Sequence, residues 1–285
     1  MRRMLLLVPL LLLAAVAAAP SAEARSADVA ALQVGLRAKG LYTGTVDGIA
    51  GPRTAAGVRR LQRRAGIAVD GIVGPATRKA LGRHGRGVLG RRLLKRGTVG
   101  WDVAALQFSL AWHGFPSGPL DGRFGRRTDA ALCRFQRWSR LFPDGVLGPA
   151  TLRALAAPRP VAPVPLAPPV ASLPTDGFGP RGNRFHTGLD YPADAGTPVS
   201  APAAGRVTYA GWLPGGWGNV VAVAVGSGAR VMLAHLSRVD VEVGAEVGQG
   251  ATLGLVGATG NATGPHVHLE LRVRGAAVDP LSALG

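Results

Sequence analysis

The sequence is poor in cysteine, in acidic residues and, beyond its first two dozen positions, in long apolar runs. A single cysteine, Cys133, stands among 285 residues. No intramolecular disulfide can form, and stability must come from packed cores or a bound metal. Cys133 sits in the helical-looking stretch ALCRFQRW and reads as a small, partly buried residue rather than a nucleophile. After the N-terminal leader no segment reaches the roughly 18 uninterrupted apolar residues of a bilayer span. No transmembrane segment is therefore expected in the mature chain. The acidic shortfall is local: Arg25 to Ala157 holds 23 Lys and Arg against 7 Asp and Glu, whereas residues 175–285 hold 7 against 8. A positive field confined to one half favours polyanions.

What the chain does have begins with Arg2 and Arg3, an apolar run from Leu5 to about Ala19, and a small-residue stretch ending at Ala24. That order is a secretory signal over residues 1–24, so a secreted, extracytoplasmic protein is expected. Export takes the basic half away from nucleic acid and leaves anionic wall polymers or anionic lipid as its polyanions.

Displacing the sequence by 74 residues aligns Asp28–Leu81 with Asp102–Leu155 without a gap, and 26 of 54 positions are identical. This is a tandem duplication. Within each copy a shorter element recurs, Asp47-Gly48 with Gly51 and Thr54, then Asp70-Gly71 with Gly74 and Thr77, and again from Asp121 and Asp144. Asp closes a turn on its own downstream backbone, Gly accepts positive φ, and Pro75 or Pro149 suits the first position of a helix. Apolar stripes such as Val29, Leu32 and Leu36 stop at glycines. Each copy thus reads as a small three-helix bundle. An EF-hand reading of the Asp-Gly turns fails, because the alternating carboxylates and closing Glu are absent. Both copies resemble the peptidoglycan-binding domain attached to many wall hydrolases, through the opening LQ helix, the DGxxGxxT turns and the closing GPxTxxAL helix. The resemblance implies binding of peptidoglycan without catalysis.

These readings divide the chain into a multidomain arrangement: a signal peptide (1–24), repeat 1 (25–82), a connector (83–101), repeat 2 (102–156), a Pro-rich linker (157–174) and a mainly antiparallel β domain (175–285). At about 3.1 Å per residue the polyproline-like linker could hold the two halves several tens of ångströms apart. In the last domain, short β runs such as GRVTYAGW, NVVAVAVG, ARVMLAHLS and HVHLELRV replace helical stripes.

Four of the six histidines fall in this β domain: His186 with Asp190 in FHTGLDYP, His235 in MLAHLS, and His266 and His268 in GPHVHLEL. Residues two apart on a strand share a face, so His266 and His268 project together. Two imidazoles and one carboxylate, with a position left for water, form a catalytic zinc set. From about Gly177 to the end the sequence resembles the lysostaphin-like zinc peptidases, through HTGLD, GTPV, AHLS, VGQG, GATGNATGPHVHLE and VDPL. The resemblance implies one Zn2+ held by His186, Asp190 and His268, with His235 and His266 in catalytic places, and cleavage of peptide cross-links in bacterial walls. Leu233 stands where a Tyr is common, HVHLE replaces HLHFE, and no Tyr lies just before His186. Glu270, two residues beyond His268, reads as a supporting group. A zinc D-alanyl-D-alanine carboxypeptidase would need a longer His-to-Asp spacing. The non-enzyme alternative, an inactive regulator of another wall hydrolase, would have lost ligands that all stand here. Trp212 and Trp217 are candidates for the cleft loops.

Overall fold

The computed structural model describes residues 25–284; the leader lies outside them. Each repeat is a three-helix unit, as its sequence predicts. The first comprises α1 (Ala27–Ala38), α2 (Pro52–Ala65) and α3 (Pro75–Ala80), and the second α4 (Trp101–Trp112), α5 (Arg126–Trp138) and α6 (Pro149–Leu155). Pro52, Pro75 and Pro149 open their helices, and α2 stops at Gly66 with φ 63°.

The recurring Asp-Gly element turns out to be a lock on a buried glutamine. Gln33 Nε2 donates to Asp47 Oδ1 at 2.7 Å, to Ile49 O at 3.1 Å and to Thr54 Oγ1 at 3.2 Å, while its Oε1 accepts from Gly48 N at 3.0 Å. Gln62, Gln107 and Gln136 repeat this pattern with Asp70, Asp121 and Asp144 and with Thr77, Thr128 and Thr151. All four glutamine side chains are buried with their polar atoms paired, which fixes each turn against its helix without a disulfide. The motif therefore serves the bundle itself.

The two bundles pack through α1 and α4. Trp101 enters the first bundle's core, and its Nε1 donates to Asp28 Oδ1 at 2.6 Å. The stretch 83–101, expected as a connector, is largely built into the helical half. Leu94 is fully buried in the second bundle, where its backbone pairs with Leu147.

The C-terminal half is antiparallel β. The main sheet runs β12 (Ala276–Val278), β11 (His266–Val273), β7 (Ala229–Leu236), β6 (Gly218–Gly226), β5 (Gly205–Leu213) and β9 (Glu246–Val247), with β3 (Leu189–Pro192) also on β11. A second sheet joins β4 (Pro198–Ser200), β10 (Thr252–Leu255) and β8 (Arg238–Val239), and β1 (Gly179–Arg181) forms a hairpin with β2 (Arg184–His186). Alternating Val and Leu from β6, β7 and β11 fill one continuous core with Val199, Leu253 and Val256.

The Pro-rich segment departs from its expected role as a spacer. Leu166 and Val170 are buried in the β-domain core, and Leu166 N donates to Ala283 O at 2.8 Å. Ala167 N donates to Pro202 O, and Pro169 O accepts from Ser200 N. Proline removes donors but leaves carbonyls and apolar neighbours, so the segment lies along the β domain as a strap. The two halves are in direct contact: Val46 N and Leu120 N reach the carbonyls of Gly182 and Asn183, and Trp112 packs edge-on against Phe185 at 5.0 Å.

Candidate metal centre and cleft

Three elements bring the predicted ligands together. Asp190 on β3 stands directly across from His268 on β11, and His186 ends β2 beside them. His186 Nε2 is 3.1 Å from Asp190 Oδ1 and 3.0 Å from His268 Nδ1, and His268 Nδ1 is 2.9 Å from the same carboxylate oxygen. Among the described residues this trio is the group of His, Cys, Asp and Glu side chains whose donor atoms converge closely enough for a metal.

The surroundings set each ring's orientation. A carbonyl only accepts, so His186 Nδ1, 2.9 Å from Gly177 O, carries the proton and Nε2 presents its lone pair to the centre. His268 Nε2 lies 3.6 Å from Glu270 Oε2, whose negative charge favours the proton on that nitrogen, and Nδ1 faces inward. Glu270 is fully buried; its Oε1 pairs with Arg272 Nε at 2.7 Å and its Oε2 accepts from Thr187 Oγ1 at 3.2 Å. Burial would raise the Glu270 carboxyl, yet His268 and Arg272 hold it below the usual carboxylate range. Burial would likewise raise Asp190, but hydrogen bonds from His186 and His268 drive it far below that range. Burial alone would lower His268, whereas Asp190 and Glu270 raise it to about 9. Two carboxylates thus draw positive charge to this nearly buried site, a charge that sits on the imidazole or on a metal ion that replaces the Nδ1 proton. The centre calls for a cation, and its donor set suits zinc.

The two remaining histidines flank the centre without joining it. The rings of His235 and His266 lie 4.7 Å apart, and His266 Nε2 is 3.8 Å from Asp190 Oδ1. His266 shares its strand face with His268 as the alternation predicts. His235 reaches the cleft differently: it has φ 66°, and the β6–β7 register shifts between Asn219 and Val221. A non-glycine residue in the left-handed region costs on the order of 1 kcal/mol or more and re-aims its side chain. His235 Nδ1 donates to Thr259 O at 2.8 Å and His266 Nδ1 to Gly264 O at 2.9 Å, so both Nε2 atoms are free to accept. Burial holds His235 below its ordinary pKa.

The cleft over these groups has a volume of about 470 Å³ and is lined by Trp217, Asn261 and Arg181 besides the histidines. Trp217 stands edge-on to His268 at 5.5 Å, while Trp212 is exposed outside the cleft. Arg181 escaped the sequence reading; it donates to Asp190 Oδ2 at 2.7 Å and also pairs with Asp176. Its only sequence signal was its place in the FGPRGN turn just before His186. Cys133, far from this chemistry in sequence, is half-buried with its thiol pushed up by burial, as expected of a packing residue.

An antiparallel sheet that presents two histidines, one aspartate and two flanking histidines in an open cleft defines a metallopeptidase domain. Residues 184–280 match the model of Peptidase family M23, and residues 25–81 and 100–155 match that of the Putative peptidoglycan binding domain. The chain therefore carries a lysostaphin-like M23 peptidase domain behind two peptidoglycan-binding repeats. Among curated relatives, the DD-carboxypeptidase/endopeptidase Mpg of Neisseria meningitidis is 46% identical over 99 residues, which is 35% of this chain and 23% of the relative. Lysostaphin of Staphylococcus simulans is 36% identical over 102 residues, 34% of this chain and 21% of the relative. The chain thus spans less than a quarter of either relative's length. The crystallised catalytic domain of lysostaphin from Staphylococcus simulans aligns at 34% identity over 39% of this chain and 90% of that one, with a TM-score of 0.37.

Proposed function

We propose that this protein is an exported zinc endopeptidase that hydrolyses peptide cross-links of bacterial peptidoglycan, held to the wall by its basic repeats. The observation that carries the reading is the convergence of His186 Nε2, Asp190 Oδ1 and His268 Nδ1 beneath an open cleft with two further imidazoles at its rim. When bound, zinc supplies Lewis-acid activation of water and of the scissile carbonyl.

The chain's own residues supply the rest. His186, Asp190 and His268 would hold the ion, with the Glu270 carboxylate beside His268 favouring the proton on Nε2. Three protein ligands leave a coordination position open. His235 and His266, with free Nε2 atoms facing the cleft, accept a proton from water, return one to the leaving amine and donate to the developing oxyanion. The backbone carbonyls of Thr259 and Gly264 keep the two rings in the tautomer this needs. Trp217 walls the cleft beside His268.

The repeats and their net positive charge support attachment to a polyanionic wall. Metal analysis of the purified full chain tests the proposal: one zinc per chain is expected, and Asp190→Ala should lose both metal and activity. A folded wild-type protein that takes up no zinc on supplementation would refute it.

A further inference from the structure

A second cavity, of about 550 Å³, lies in the helical half between the start of α1, the last turn of α4 and the chain leaving α6. Its apolar wall includes Phe108, Leu155 and Val161, and its polar wall holds Arg25, Arg159 and Trp112; among the described residues no carboxylate lines it. The guanidinium carbons of Arg25 and Arg159 stand 5.1 and 4.9 Å from the centre of the one Trp112 ring. Burial and the charge of Arg25 push Arg159 below its ordinary pKa, and no acidic group among the described residues offsets them. Arg25 Nη1 donates to Asp47 O at 3.4 Å, but its Nε is buried without a hydrogen-bond partner.

Stacking on an indole repays roughly 0.5–1 kcal/mol per cation at exposed sites. It does not satisfy the guanidinium donors, nor does it remove the repulsion between two like charges in a recess. An arginine fork meets these demands with an oxyanion, whose two oxygens match its paired N–H groups. The volume falls in the range of roughly 300–1,000 Å³ typical of small-molecule sites.

We propose that this cavity is an anion-binding subsite, in which the guanidinium N–H groups of Arg25 and Arg159, held by stacking on Trp112, take up a carboxylate or phosphate group. Both chemistries occur on bacterial wall polymers, and that choice of source rests on the wall-hydrolase reading; the site itself does not. The same indole packs against Phe178 and Phe185, the latter one residue before His186. The occupant would therefore sit one side chain away from the hairpin that ends in a metal ligand.

The chain has five tryptophans, so indole N–H resonances of the full-length protein resolve the question, with Trp112→Phe assigning one of them. The probes are inorganic phosphate, a soluble muramyl disaccharide-tetrapeptide and neutral chitotetraose. Saturable movement of the Trp112 signal is expected with phosphate, with the disaccharide-tetrapeptide or with both, and none with chitotetraose. Movement with phosphate alone assigns wall phosphate as the source, and movement with the tetrapeptide assigns stem carboxylates. The Arg25→Ala, Arg159→Ala double variant should bind about tenfold more weakly or worse while cleaving a short soluble peptide as wild type does. Arg159→Gln alone should show a smaller loss in the same direction. Asp190→Ala, which fails as an enzyme if the peptidase reading holds, should bind the anion unchanged. No movement with either anion, equal movement with chitotetraose, or unaltered binding by the folded double variant would overturn the proposal.

Discussion

Val46 and Leu120 occupy the same place in the two repeats, and their backbone N–H groups donate to adjacent carbonyls, those of Gly182 and Asn183, at 2.8 and 2.7 Å. The duplication has thus produced a two-pronged grip on the turn of the β1–β2 hairpin. Gly182 has φ 59°, which the two-residue turn requires there. On one side of this turn Arg181 reaches Asp190, and on the other the strand ends at His186. The repeats therefore bear directly on the hairpin that shapes the metal centre.

The grip is sealed by Trp112, whose ring meets Phe178 at 6.2 Å and Phe185 at 5.0 Å. A fully buried Trp→Ala change costs about 3–5 kcal/mol, and this half-buried indole should cost on the order of 2–3. Trp112→Ala is expected to uncouple the two halves, so that one calorimetric transition becomes two and proteolysis in residues 157–178 accelerates. An unchanged single transition would mean that the contact contributes little.

Glu270 is expected to tune the metal centre through His268. Glu270→Gln keeps the shape and the acceptor oxygen but removes the charge that orients the imidazole. Loss of such a partner typically lowers metal affinity about 10- to 100-fold. Competition with a chromophoric chelator should show that loss, with little change in the folded β-sheet signal.

His235→Ala and His266→Ala should retain zinc and lose on the order of 10²- to 10⁴-fold in rate, the usual contribution of general acid-base groups. A variant that is folded but metal-free would move its histidine into the ligand set. Near-normal turnover in both would rule out the assigned roles.

Stability should fall in mild acid. Burial holds His113 below its ordinary value of 6.5, against hydrogen bonds to Ser109 O and Ala157 O that raise it. The unfolded chain then binds the proton more readily than the folded one, so the contribution is fully present above about pH 6.5 and is lost as pH falls through the folded value. His84, also held low by burial, acts in the same direction. The urea midpoint should decline from neutral pH towards about pH 5, and His113→Gln should flatten that decline.

Much of this was legible because the chemistry lies in local patterns. The HVH alternation placed His266 and His268 on one face, and the FHTGLD stretch held two of the three donors. The repeat gave the helical bundles, and β runs matched strands to within a residue or two, as with NVVAVAVG and β6. What sequence concealed depends on long-range contact. His235 enters the cleft through a bulge with positive φ, which no alternation shows. Arg181 matters only because its turn folds back on Asp190. The Pro-rich segment has the composition of a spacer, yet Leu166 and Val170 find a core 30 to 100 residues away in the chain, among Val199, Leu253 and Val267. The pairs Leu32-Gln33 and Leu106-Gln107 marked the opening helix of each copy, but the role of each of the four glutamines emerged only with its Asp, Gly and Thr partners around it.

The most direct test of a zinc endopeptidase acting on wall peptides is the release of new amino groups from purified peptidoglycan, followed by mass spectrometry of the new termini. Zinc-loaded full-length protein should generate new peptide amino termini, chelation should stop their release, zinc should restore it, and His268→Ala should yield none. Release that persists undiminished after the metal is removed, or intact cross-links in the presence of fully zinc-loaded protein, would contradict the assignment.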